Sequence, residues 1–177
     1  MKAVIDTNVL LVANKQHDNV SPDCVSKCVQ CLLTIQQSGV TVIDKERRIL
    51  REYQNKTKPN QPKGVGDVFL KWLLQNMCNT KHVEQLPLTE KADDCFAEFP
   101  DPVLEQSFDP PDRKFVAVAN KHPEKPPIWQ ASDCKWLKWR TALKAKGIKV
   151  EFLCPDDICQ FYHNAFPNEP PVLPHML

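Results

Sequence analysis

The chain opens on an apolar stretch, Lys2 to Leu11, broken only by the polar trio Asp6-Thr7-Asn8. Apolar residues at successive positions suit a strand buried on both faces, so this stretch predicts a first, central strand. A helix is expected from Ser21. Serine fits the N-cap, Pro22 the first helical position and Gly39 the position past the end. Between them Cys24, Val25, Cys28, Val29, Leu32 and Ile35 recur at helical spacing. Val40 to Ile43 is short and β-branched, a second strand, after which Asp44 caps a helix running to about Asn55. Residues 56–64 then form a loop rich in Lys, Pro and Asn.

Asp67 to Met77 predicts an amphipathic helix carrying Phe69, Trp72 and Leu73. A short strand is expected at Val83–Leu86, and from there to Phe108 the periodicity fades into irregular or short helical pieces. It returns with a helix over Arg113–Lys121, a strand over Pro127–Ala131 and a helix over Asp133–Lys146 closed by Gly147. A last strand, Ile148–Leu153, and a last helix, Pro155–Ala165, complete the pattern. Strands alternating with helices predict an α/β domain with a mostly parallel central sheet. Functional residues in such a fold belong at the carboxyl ends of the strands. Residues 1–166 are expected to form this domain, and 167–177 a Pro-rich tail that is extended or disordered.

Composition adds limits. At 177 residues, 42% hydrophobic and 25% charged, the chain suits one globular domain with a single core. No apolar run approaches the ~20 residues of a membrane-spanning helix, so no membrane partner is expected. Asp6 and Asn8 interrupt the amino-terminal stretch and no small-residue cleavage site follows, which argues for a cytoplasmic protein. In that reducing compartment the eight cysteines are expected as free, mostly buried thiols. Cys24-x₃-Cys28-x₂-Cys31 has the spacing of an iron–sulfur motif of radical enzymes. On the helix capped by Ser21, however, those positions share one face with Val25 and Leu32, which favours core packing. The tryptophans Trp72, Trp129, Trp136 and Trp139 could stack on nucleobases, but the i, i+3 pair Trp136 and Trp139 fits a buried stripe better.

Net charge is only +1, yet it is unevenly placed. Residues 45–63 hold seven basic side chains against two acidic, 67–112 three against ten, and 113–149 ten against two. A positive rim near a negative centre suits a phosphate backbone. Four carboxylates along the chain follow strands or open helices. Asp6 lies in the first strand's final stretch, where an unpaired carboxylate costs several kcal/mol unless it is paired, protonated or metal-bound. Asp133 follows the strand ending at Ala131, beside Ser132; either could instead be a helix N-cap. In Asp109-Pro110-Pro111-Asp112, Asp109 is expected as N-cap, leaving Asp112 at the third helical position to face outward. The helix after the second strand offers Glu46 and Glu52. Helical phase favours Glu46, on the face of Ile49, Leu50 and Tyr53, without settling the choice. Carboxylates converging without His or thiolate partners suit Mg²⁺ or Mn²⁺.

Val4-Ile5-Asp6-Thr7-Asn8-Val9-Leu10-Leu11, then ILREY (49–53), DRKFVAVA (112–119) and ASD (131–133) resemble, in that order, the PIN domain family. The resemblance spans about residues 3–153. It implies a three-layer α/β/α sandwich and a metal-dependent nuclease that cuts RNA, less often DNA. It implies Asp6, Glu52, Asp112 and Asp133 as catalytic metal ligands, with Asn8 and Ser132 supporting them, and so decides for Glu52 over Glu46. The nearest functional class is the compact bacterial toxins, which implies single-stranded RNA as substrate and an antitoxin protein or a second copy as partner. A catalytically silent nucleic-acid-binding or protein-interaction module is the alternative.

Overall fold

The computed structural model describes residues 1–177. Its centre is a five-stranded, all-parallel sheet in the order β3-β2-β1-β6-β7, where β1 is Lys2–Ile5, β2 Val40–Asp44, β3 Val83–Leu86, β6 Ile128–Gln130 and β7 Val150–Phe152. β4 (Glu90–Ala92) and β5 (Cys95–Phe96) form a separate antiparallel hairpin. Eight helices flank the sheet: α1 (Thr7–Ala13), α2 (Pro22–Ser38), α3 (Arg48–Lys56), α4 (Val65–Gln75), α5 (Pro102–Ser107), α6 (Arg113–Lys121), α7 (Trp136–Ala145) and α8 (Pro155–Ala165). The result is a three-layer α/β/α sandwich with β1 at the centre of the sheet, as the apolar pattern led us to expect. No helix is long and apolar enough to cross a membrane.

The first strand is shorter than expected. It stops at Ile5, and Asp6 is the N-cap of α1, its carboxylate accepting from the Asn8 backbone N–H at 2.8 Å. The apolar run Val9–Val12 therefore belongs to a helix. Five of the seven α1 residues are buried, so α1 lacks the polar face that marks an amphipathic helix in sequence. The helix from Ser21 is as expected, Ser21 Oγ accepting from the Cys24 N–H at 3.1 Å. α3 begins at Arg48, with both oxygens of the buried Asp44 capping Arg48 N–H (2.7 Å) and Ile49 N–H (2.8 Å). α7 begins only at Trp136, because residues 132–135 turn first. Before α6, Pro110–Asp112 forms a 3-10 turn; Asp109 caps nothing and instead meets Lys135 Nζ at 2.6 Å.

The core gathers both faces of β1 (Ala3, Val4, Ile5) with Phe115, Val116 and Val118 of α6 and the buried Trp136. Trp129, Trp136 and Trp139 are buried, so for them the core reading holds and base stacking does not. The tail is not free: Val172 N–H donates to His163, Tyr162 donates to Glu169, and Pro174–Met176 makes a 3-10 turn. Cysteine chemistry also departs from expectation. Cys24 and Cys154 form a disulfide, and six thiols remain free. The cause is tertiary. Ser21 donates through N and Oγ to Asp157 on α8, which brings the start of α2 against the end of β7, across 130 residues of sequence.

α4 crosses α1 at very short range. A Cβ on Gly66 would stand 2.2 Å from the Leu10 carbonyl oxygen, a backbone atom that cannot swing aside. Gly66→Ala is therefore expected to push the helices apart and lower unfolding free energy by roughly 2–3 kcal/mol, the usual scale of overpacking. Chemical denaturation of both proteins would measure it; an unchanged midpoint would mean the crossing is looser than it stands.

Candidate active site

The site lies where the strands end. β1 and β6 are neighbours, with Ile5 paired to Trp129, and the Asp6 N–H donates to the Trp129 carbonyl at 2.9 Å. Asp6 thus sits beside the turn that follows β6. That turn is organised by Gln130, fully buried, whose side-chain oxygen accepts from the Ser132 N–H at 3.0 Å and the Asp133 N–H at 3.1 Å. Asp133 Oδ1 accepts in turn from the Lys135 N–H at 3.0 Å. α3 is tied to the same place from the other side. The Tyr53 hydroxyl donates to the Ile5 carbonyl and the Thr7 hydroxyl to Glu52, which delivers Glu52 to the end of β1. Asp112 arrives at the start of α6, which packs across β1, β2 and β6.

Electrostatics records the convergence. Burial raises the Asp6 carboxyl well above the usual carboxylate range, and the charges of Asp112, Glu52 and Asp133 add to it against the Asn8 hydrogen bond. Burial lifts Asp112 to about 7, with Asp133 and Glu52 adding and the Lys114 ammonium opposing. Asp133 is raised by burial, with the Lys135 N–H and charge working against it. Glu46 lies elsewhere: it accepts from the Leu88 N–H at 3.0 Å and pairs with Arg48 at 3.5 Å, so it braces the loop before β4. Of the supporting pair, Asn8 bonds Asp6 through its backbone N–H, and Ser132 Oγ is buried with no partner.

The carboxylates are neighbours without being crowded: no three of them bring oxygens within 4.8 Å of one another, a spacing that only the sulfurs of Cys24, Cys28 and Cys154 reach. A hard cation keeping several waters tolerates that spread, and two ions ~4 Å apart span more of it. The all-oxygen donor set and the orphaned Ser132 hydroxyl suit such a hydrated ion.

Two contributors escaped the sequence reading. Lys114, 5% exposed, places its ammonium 2.5 Å from Glu52 and donates to the Pro111 carbonyl. Nothing local marks it, because its partner lies on another helix. Gln130 left a signal, a polar residue closing an apolar strand. Next to Glu52 a cavity of about 330 Å³ is lined by Arg48, Arg51, Asn55, Lys56 and Lys114, with Asp94 at its edge. Comparison with known protein families, curated proteins and solved structures finds no match for this chain.

Proposed function

We propose that the chain is a divalent-metal-dependent endoribonuclease in which Asp6, Glu52, Asp112 and Asp133 hold Mg²⁺ or Mn²⁺. The observation that carries this reading is the buried Asp6, pressed by the charges of the other three acids at the carboxyl ends of central strands. A fold does not bury such a charge cluster without something to offset it. When bound, the metal would activate water and offset charge building on a phosphodiester. The chain's own residues do the rest. Gln130 fixes the turn that presents Asp133, Tyr53 and Thr7 fix Glu52, and Lys114 holds Glu52 in place. The resemblance to PIN domains in the sequence supports RNA over DNA as substrate. Purified protein given a mixed single-stranded RNA pool is expected to cleave it with Mn²⁺ and not with EDTA, and to cleave the DNA equivalent more slowly. Cleavage that survives EDTA would overturn the metal.

The cavity beside Glu52 gives the phosphate backbone its grip. Arg51 and Lys56 present two cations there beside Glu52, while Arg48 is paired with Glu46 and Glu90. Arg51→Glu with Lys56→Glu is expected to weaken RNA binding at least about tenfold at low salt and to flatten its salt dependence, since fewer counterions are then released. Filter binding across a salt series would show it, and a slope equal to wild type would place the strand elsewhere. A silent binding module is the second reading, and the Lys114–Glu52 ion pair favours it, since that ammonium already offsets part of the acidic charge.

A further inference from the structure

The fold brings three sulfurs together where a disulfide needs two. Cys24 and Cys28 stand one turn apart on α2, and Cys154 closes β7 just before α8. All three are buried, at 3%, 0% and 4% exposure, and their sulfurs lie within 4.8 Å of one another. Cys24 and Cys154 are bonded, and Cys28 Sγ waits 3.9 Å from Cys154 Sγ. Cys31, the third member of the sequence motif, is half-buried and outside this group, so the trio is not the one its spacing suggested.

We propose that, once the Cys24–Cys154 bond is reduced, Cys24, Cys28 and Cys154 form a thiolate site for one thiophilic cation of the Zn²⁺ class. Four features carry it. Two ligands one helical turn apart on one face, joined by a third from another element, is an arrangement by which helices hold zinc. Thiolates sharing a tetrahedral zinc at 2.3 Å stand ~3.8 Å apart, which matches the spacing of Cys28 and Cys154. The group has the scale of one ion, not of an iron–sulfur cluster. Beside it opens a cavity of about 400 Å³ lined by Cys24, Cys154, Lys27 and Asp157, from which a water completes the shell.

The chemistry balances in two steps. A dithiol donates two electrons and two protons, the Cys24–Cys154 bond opens to two thiols, and the dithiol closes to its own disulfide. Zn²⁺ then displaces three protons and leaves a site of net charge −1, beside a cavity wall that holds Lys27 together with Asp23, Asp156 and Asp157. In the reducing compartment that the sequence suggests, the start of α2 is thereby clamped to the end of β7 by metal, and under oxidation by the disulfide. The site is independent of the four carboxylates and of the nuclease reading.

The test uses full-length protein reduced with dithiothreitol, freed of it without oxygen and titrated with Co²⁺ and Zn²⁺. The intense thiolate-to-cobalt charge-transfer absorption is expected to saturate at one equivalent per chain. Cys28→Ser is expected to lose more than the 10–100-fold that removing a group merely supporting a ligand costs. It should still form the Cys24–Cys154 disulfide in air, read as a loss of two hydrogens by intact mass, which shows that it folds. Cys31→Ser should bind cobalt as wild type does, and Asp6→Asn should keep the thiolate-to-cobalt band unchanged. Reduced wild type with all eight thiols alkylatable and no cobalt spectrum would overturn the proposal, as would a Cys28→Ser protein that binds equally well.

Discussion

Asp6→Asn is expected to abolish Mn²⁺-dependent RNA cleavage, by at least about a thousandfold or ~4 kcal/mol of barrier, while melting in EDTA at an unchanged or higher temperature. The two effects share one cause. Asp6 is 2% exposed, and the acids Asp112, Glu52 and Asp133 all bear on it, so its ionised form is disfavoured without a cation. Asparagine keeps the shape, and its side-chain oxygen still accepts from the Asn8 N–H, so α1 keeps its cap. What it removes is the charge that holds a hard ion. A merely structural aspartate would behave oppositely, its loss lowering the melting temperature and leaving activity in proportion to folded protein. Parallel cleavage assays and thermal melts on the two proteins separate these cases. Equal cleavage by wild type and variant would remove Asp6 from the site.

The alternation of strands and helices made the parallel sheet legible, because each β-branched run stands between a cap and a helical period. Ser21, Pro22 and Gly39 bounded α2 almost to the residue. Legibility failed where the physics is not local. α1 is buried on most sides, so its residues carry the same apolar signature as a buried strand, and only the capping role of Asp6 separates them. β4 is exposed at all three residues, which leaves no alternation to read. The Cys24–Cys154 pair is set by how α2 packs against the β7–α8 junction, and no spacing rule spans 130 residues. The acids themselves were readable one by one, as carboxylates that follow strands or open helices. Their common location was not readable, nor was Lys114, since both depend on α3 and α6 meeting over β1. Phase even favoured Glu46. Glu52 reaches the site because Tyr53, its buried neighbour, donates to the Ile5 carbonyl and fixes the turn of the helix.

Those same acids set the response to pH. Asp112 titrates near 7 in the folded chain against an ordinary value of 3.8, and Asp6 and Asp133 are shifted in the same direction. A carboxyl whose folded value is raised binds protons in the native state that the unfolded state has released. Between about pH 4 and 7 the native state therefore holds more protons, and stability falls as pH rises through that window. For Asp112 the effect, discounted for its partial exposure to water, is roughly 2–3 kcal/mol. The lowered carboxyls, such as Glu84 beside His122 and Lys2, act in the opposite direction but below about pH 4.5, outside the window. In EDTA the melting temperature is thus expected to fall steadily from pH 5 to pH 8. Saturating Mn²⁺ should reverse the trend, because the ion binds only the deprotonated acids and stabilises the fold in proportion to its occupancy. Asp112→Asn should flatten the EDTA curve and remove most of the Mn²⁺ effect. A melting temperature in EDTA that rises from pH 5 to 8, or a Mn²⁺ effect that survives in Asp112→Asn, would mean that these carboxylates do not share a cation.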